Sequence, residues 1–194
     1  MVLIDRDIRS LCLEHTPPMI ESFSEAVSGG GVISFGLSHS GYDIRLGTEF
    51  LIFKGSYGEA SDPKRFGSEE YRKRMFDEVV AETGPVNIPP HSYVLAKSLE
   101  RFNIPENIQA HCLGKSTLAR CGIICNVTPL EPGWSGFLTI EISNATPCPA
   151  CLYPKEGICQ VVFHQLSSIP EKNYSTEGGK KYQNQIGVTV AKVL

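Results

Sequence analysis

Leu113–Asn144, LGKSTLARCGIICNVTPLEPGWSGFLTIEISN, decides how this chain is read. It opens on Gly114-Lys115-Ser116-Thr117 and Arg120: a glycine that lets the backbone turn, then hydroxyls and cations suited to phosphate oxygens. The turn Glu131-Pro132-Gly133-Trp134 follows, and then a strand pattern, Phe137–Ile142, carrying one carboxylate, Glu141, among apolar neighbours. Phosphate-type donors, a turn and a lone strand carboxylate read together as a nucleotide site. Gln109 stands where a P-loop needs its first glycine, so Lys115-Ser116-Thr117 is not a P-loop. A polar turn with Ser116 as a helix cap accounts for the same residues. Arg120, four residues after Ser116, returns to the same side of a helical turn. A period of two puts Phe137, Thr139 and Glu141 on one strand face and Leu138, Ile140 and Ile142 on the other. That pattern favours solvent for Glu141. In an interior it must be paired, protonated or shifted towards a pKa of ~6 to 7, which suits a general base.

Outward from this stretch the sequence is punctuated by Gly or Pro roughly every ten residues, the spacing of a sandwich or barrel. Short strands are expected at Val32–Phe35, Tyr42–Leu46, Glu49–Lys54, Tyr93–Leu99, Ile108–Leu113, Ile123–Val127, Cys151–Tyr153 and Gln160–His164, with a short extended piece at Met19–Phe23. Asp5 is placed to cap a short helix from Arg6 to about Glu14, which Thr16-Pro17-Pro18 stops. Gly55–Glu82 reads as a polar surface excursion with one helix around Ser68–Val80. The Gly-rich, basic tail around Glu177–Gln185 reads as a flap that orders over a ligand.

At 194 residues the chain is expected to be one domain, large enough to bury a core. A net charge of −3 offers no broad basic surface for nucleic acid. No apolar run approaches a membrane span, and Met1-Val2-Leu3-Ile4-Asp5-Arg6-Asp7 lacks the basic-then-apolar order of a signal peptide, so the expected location is the cytoplasm. The odd count of seven cysteines argues against a disulfide framework, and most are expected to be reduced and buried. Pro147-Cys148-Pro149-Ala150-Cys151 fits half of a zinc deaminase signature. The other half, H-x-E, is missing: two residues after His15, His39, His91, His111 and His164 stand Pro17, Gly41, Tyr93, Leu113 and Leu166. A zinc deaminase and a structural zinc are both disfavoured.

Taken in order, Ser40–Arg45, Gly114–Gly122, Asn126–Trp134, Thr139–Asn144, Glu156–Gln160 and Lys181–Thr189 resemble the dCTP deaminase family of the trimeric dUTPase superfamily. The resemblance runs through most of the chain after Ile33 and is weakest from Gly55 to Thr83. It implies a mainly β chain folded as a distorted β-barrel or jelly-roll, with a short N-terminal helix and few others. It implies a homotrimer with sites between subunits, ending in a flexible flap at about 175–194. The implied reaction is zinc-independent hydrolysis of dCTP to dUTP and ammonia, supplying dUTP for dUMP and dTTP synthesis, with Mg2+ accompanying the triphosphate and dTTP a candidate inhibitor.

By the same resemblance, Lys115, Ser116, Thr117, Leu118, Ala119 and Arg120 hold the triphosphate and help align the water, with Ser116 and Arg120 nearest the chemistry. Glu141 matches the general base and acid. Thr139 and Ile140 match positions lining base and sugar. Gln160, Tyr174, Lys181 (rather than Lys180) and Gln185 match nucleotide contacts. Neither nucleic acid nor membrane is an expected partner. The turn carries Leu130-Glu131 where dUTPases and some deaminases have Ile-Asp, an Asp that in a dUTPase activates water for attack on phosphate. Glu131 either does the same or braces the turn, so a bifunctional deaminase–diphosphatase releasing dUMP, or a plain dUTPase, stays open beside a deaminase alone. A non-catalytic jelly-roll nucleotide-binding module is the third reading.

Overall fold

The computed structural model describes residues 1–55, 58–176 and 181–193. The expected flap's Glu177–Lys180 and its last residue, Leu194, lie outside the described residues. In chain order the elements are α1 (Asp5–Leu13), β1 (Ile20–Glu21), β2 (Val27–Gly29), β3 (Val32–Ser38), β4 (Gly41–Phe53), α2 (Glu69–Met75), β5 (Phe76–Val80), β6 (Val86–Ile88), β7 (Tyr93–Asn103), β8 (Ile108–Gly114), α3 (Ser116–Ala119), β9 (Ile123–Cys125), β10 (Ser135–Asn144), β11 (Ala150–Leu152) and β12 (Gly157–Gln165). The mainly β reading holds: one curled sheet carries most of the strands, along the path β2-β3-β4-β7-β10-β9. β1 adds to β7, β5 adds to β4, and β12 joins β4 to β8, while β6 and β11 pair separately. Every named strand pairing is antiparallel.

β4 is the spine of the curl, and it replaces the two strands expected at Tyr42–Leu46 and Glu49–Lys54. Tyr42 to Arg45 pair with β12, whereas Leu46 and Phe50 to Ile52 pair with β7. The register slips between Leu46 and Phe50, around Gly47. A Cβ at Gly47 would come within 2.6 Å of the Lys97 carbonyl, so only glycine lets the two strands approach at this corner.

A buried ionic network ties the corner together. Glu100 of β7 is 0% exposed. Its Oε1 accepts from Arg45 Nε at 2.7 Å and from the Tyr42 hydroxyl at 3.3 Å, and its Oε2 accepts from the Arg45 amide at 3.0 Å. Arg45 also donates to the Ser22 carbonyl and covers the Phe35 ring. Ser98 Oγ donates to the Glu100 carbonyl at 2.7 Å and accepts from the Leu138 amide at 2.8 Å, where β10 slips register between Phe137 and Thr139. The Glu100 side chain thus links β7 to β4 and, through Arg45, to β3, while its main-chain carbonyl, through Ser98, reaches β10.

Two apolar clusters fill the fold. The larger lies inside the curl and takes in Ile8, Met19, Phe102, Trp134, Ile140 and Phe163. The smaller, Leu51, Phe66, Tyr71, Met75, Phe76 and Leu95, is built on the outer part of β4 and β7 by the excursion after β4. The helix expected over Ser68–Val80 stops at Met75, because Phe76–Val80 leaves as β5 to pair with the edge of β4. α1 starts at Asp5 rather than Arg6, and Ile4 rather than Asp5 is its N-cap; Asp7 accepts from the Ile4 amide at 3.2 Å. All seven cysteines are free, but Cys121, Cys148 and Cys151 are exposed, contrary to the expectation that most are buried. Cys151 lies on β11 between the core residues Ala150 and Leu152, on the opposite, exposed side. Among the described residues no helix is long and apolar enough to cross a membrane.

Burial raises the Glu100 carboxyl above its usual range and Arg45 pulls it back. Removing Arg45 strands that carboxyl. Arg45→Met should therefore cost about 3 kcal/mol of unfolding free energy at pH 8, the scale of a broken buried pair. Without Arg45 the folded chain holds the Glu100 proton more tightly than the unfolded chain, so stability falls as pH rises above the ordinary glutamate range. The deficit in urea unfolding should accordingly be smaller at pH 5 than at pH 8.

Candidate active site

A cleft opens beside the β10 irregularity, lined by residues that include Val127, Leu130, Glu131, Trp134, Leu138, Thr139, Glu141, Tyr174, Tyr182, Gln185 and Thr189. The turn expected at Glu131–Trp134 is present: the Trp134 amide donates to the Glu131 carbonyl at 3.1 Å, with Gly133 at φ +77. Pro at the second turn position and a left-handed Gly at the third are what a type II turn demands. Glu131 and Trp134, its two ends, both reach the cleft.

Strict alternation along β10 fails at the slip between Phe137 and Thr139. Leu138 lines the cleft together with Thr139 and Glu141, while Lys97 sits over the Phe137 ring. A bulge changes which side chains share a face, so a period of two does not carry across it. Glu141, for which pattern favoured solvent, has its Oε2 buried with no hydrogen-bond partner among the described residues. Desolvation pushes its carboxyl up to about 7. An unpaired buried carboxylate is costly, so near neutrality the group is poised between acid and base. Gln185 presents a second such acceptor: its Nε2 donates to the Phe137 carbonyl at 2.7 Å, while its Oε1 is buried without a partner among the described residues. A ligand offering N–H or O–H groups would satisfy both oxygens. Thr139 Oγ1 accepts from the Thr189 amide at 3.0 Å, and Glu131 Oε2 accepts from Gln109 Nε2 at 3.4 Å.

Of the residues singled out in the sequence, Glu131, Thr139, Glu141, Tyr174 and Gln185 are gathered here. Ile140 is not: its side chain is fully buried in the main core. Lys181 is adjacent, its carbonyl accepting from Lys192 Nζ at 3.0 Å. The remainder form a second group elsewhere on the chain. Lys115 Nζ is 2.6 Å from Asp43 Oδ2, and both side chains are largely buried. Gln160 on β12 is in register with both Asp43 and Leu113. α3 begins just after Lys115; Ser116, Thr117 and Ala119 on it and Arg120 at its C-terminal end are exposed, with Leu118 turned inward. None of residues 115–120 lines the cleft that holds Glu141.

Sequence reading passed over Asp43 as the partner of Lys115, and over Trp134, Tyr182 and Thr189 as cleft residues. All lie inside segments quoted for their resemblance, but nothing in their spacing showed where they point. Cys148 Sγ contacts Thr146 Oγ1 at 3.4 Å, and Cys151 Sγ donates to Asn87 Oδ1 at 3.1 Å. Among the described residues no three of His, Cys, Asp and Glu are gathered to hold a metal.

A family model described as dCTP deaminase-like matches residues 2–166. A dCTP deaminase of Herpetosiphon aurantiacus is 48% identical over 189 residues, 97% of each chain. A dCTP deaminase of Campylobacter jejuni is 50% identical over 191 residues, 98% of this chain and 97% of its own. The crystal structure of a 2'-deoxycytidine 5'-triphosphate deaminase from Agrobacterium tumefaciens superposes with a TM-score of 0.61 at 20% identity, over 84% of this chain and 48% of that one, a likeness of fold.

Because the folded Glu141 carboxyl titrates near pH 7, above its unfolded value, its neutral form favours folding, and that contribution is lost as pH climbs through about 7. Glu141→Gln keeps the shape without the charge. It should leave the melting temperature nearly unchanged at pH 5 and raise it at pH 8, with a gain of about 2 kcal/mol. Equal melting temperatures at pH 8 would mean that the carboxyl is solvated.

Proposed function

The chain belongs to the dCTP deaminase-like family, and on that premise we propose that it hydrolyses dCTP to dUTP and ammonia with Glu141 as the proton carrier. The observation that carries this is Glu141 itself: a carboxyl that burial raises to about 7, facing the cleft, with its Oε2 shut away from any hydrogen-bond partner among the described residues. In the reaction, Glu141 takes a proton from a water that attacks C4 of the cytosine and passes it to N3. The tetrahedral carbon then expels the amino group, which leaves as ammonia with a proton delivered through the same carboxyl, and the C4 carbonyl of uracil remains. Proton transfer of this kind contributes ~10²- to 10⁴-fold, so the rest of the rate must come from positioning and electrostatics. Gln185 Oε1 and Thr139 support the reading as groups that would orient the base.

The triphosphate falls in this reading to Lys115, Ser116, Thr117 and Arg120, with Gln160, Tyr174 and Lys181 as further contacts. Magnesium arrives with the phosphates, and no step is routed through a metal held by the protein. Since Ser116 and Arg120 are absent from the cleft within one chain, we place them there from a neighbouring subunit of a homotrimer. The reading also takes 1–194 as one domain working in the cytoplasm, with dUTP destined for dUMP and dTTP synthesis.

Glu131 favours a second reading. Its carboxylate lines the same cleft and accepts a long contact from Gln109. If it activates water against phosphate, the product of dCTP with Mg2+ is dUMP and pyrophosphate; if it braces the turn, dUTP accumulates. We expect dUTP, resolved by anion-exchange chromatography of the reaction mixture.

Glu141→Gln should retain dCTP binding and lose at least about 10³-fold in kcat, with near-normal turnover refuting its role. Arg120→Ala should also be inactive. Chains of the two variants, unfolded together and refolded as mixed trimers, should recover activity in roughly a quarter of the sites, because half the Glu141 donors and half the Arg120 donors are intact. Mixed trimers without activity would place both residues in one chain's site.

A further inference from the structure

The segment with the weakest family likeness has no part in the chemistry above, yet it is firmly built. Tyr71, 1% exposed, donates its hydroxyl hydrogen to the Ala60 carbonyl at 2.5 Å and accepts from the Asp62 amide at 2.8 Å. Arg65 lies over the Tyr71 ring at 4.3 Å, the Phe66 ring is 5.1 Å from it, and Arg74 pairs with Glu59 at 3.1 Å. This excursion supplies Phe66, Tyr71, Met75 and Phe76 to the smaller apolar cluster, apart from the main core. The remaining side of that cluster is covered by the C-terminal segment, through Val188, Val190 and Ala191. Between the two valines, Thr189 lines the cleft and donates its amide to Thr139 Oγ1. Upstream, the same segment bonds to the start of β10: the Asn184 amide donates to the Ser135 carbonyl at 2.8 Å and the Phe137 amide to the Gln185 carbonyl at 3.0 Å.

We propose that the 59–76 excursion is a dock that positions the C-terminal segment, so that Val188 and Val190 anchored on it set where Thr189, Gln185 and Tyr182 stand over the nucleotide. Alternation does the coupling: neighbours of Thr189 grip the dock while Thr189 itself faces the cleft. The hydrogen bonds to β10 fix one end of the segment, and apolar burial on the dock fixes the other. These are positioning residues, since none of the dock's side chains lines the cleft.

The protein carries its own reporter. Trp134 is its single tryptophan, and its indole N–H donates to the Tyr182 carbonyl of the C-terminal segment at 2.9 Å. Val190→Asp places a charge against the dock without touching the main core. It should red-shift Trp134 emission as water reaches the indole, and raise KM for dCTP about tenfold, with kcat within about twofold. Phe66→Ala, on the opposite wall, should reproduce both effects, and Val190→Ile should show neither. Val193→Asp, at a position already 56% exposed, should also match the unsubstituted protein. Unshifted emission and an unchanged KM in Val190→Asp would overturn the dock, as would a fall in kcat with KM unchanged. The KM arm rests on the proposed deaminase activity. If the unsubstituted protein does not turn over dCTP, that activity fails by itself, and the emission of Val190→Asp still decides whether the dock holds the segment.

Discussion

A carboxylate shut away from water sits where β4 passes from one side of the curl to the other. Glu100 has three donors, two from Arg45 and one from Tyr42, and the site downstream depends on it. A long antiparallel strand can serve two sheets only if something fixes the corner. Gly47 allows the close approach, and the Glu100–Arg45 pair gives it a single geometry. Ser98 carries the constraint to β10 by holding the Leu138 amide at the slip. At that slip Leu138 joins Thr139 and Glu141, which alternation already puts on one face, at the cleft. Buried ion pairs are weak as sources of stability; this one specifies a corner and, through the neighbouring Ser98, the register of the strand that carries Glu141.

The fold was largely legible because β-sheet signals are local. Turn residues at short intervals marked most strands to within a few positions, and the EPGW turn formed as its proline and glycine dictate. What was illegible is what strands do to one another. Tyr42–Leu46 and Glu49–Lys54 read as two strands, since a polar Gly47-Thr48 looks like a break unless the sequence also discloses β7 packed against it. Phe76–Val80 read as more helix because its pairing partner, the edge of β4, lies far back in the chain. Glu141 keeps the face that alternation assigns it, with Thr139 and opposite Ile140 and Ile142; what a period of two does not disclose is that this face borders a cleft rather than open solvent, and that the slip held by Ser98 brings Leu138 to it.

The candidate site was legible as a set of residues and illegible as a geometry. Chemistry by residue type singled out Glu141, Lys115, Ser116 and Arg120, and the resemblance extended the set to Tyr174 and Gln185. Spacing along the chain could not say that these divide into two groups, nor that Lys115 already has Asp43 as its partner. That pair reassigns part of the role of Lys115. A largely buried ammonium bound to a carboxylate first of all anchors the turn into α3, and so fixes the direction in which Ser116 and Arg120 project. Asp43 itself lies two residues from Arg45 on β4, which makes the corner network the support of both groups at once.

The division has a physical logic within the proposed reaction. Glu141 stands partly buried in the cleft, where desolvation raises its carboxyl to about 7. Arg120 and the hydroxyls of α3 stand exposed, where water screens them. Each half by itself is poorly reactive: a carboxyl reluctant to ionise on one side, a solvated cation on the other. Brought together across a subunit boundary, the cation enters low dielectric and the carboxyl gains a partner, so ionisation of Glu141 becomes favourable only where the triphosphate is also gripped. Separating the halves between chains would then make assembly itself the step that creates the base.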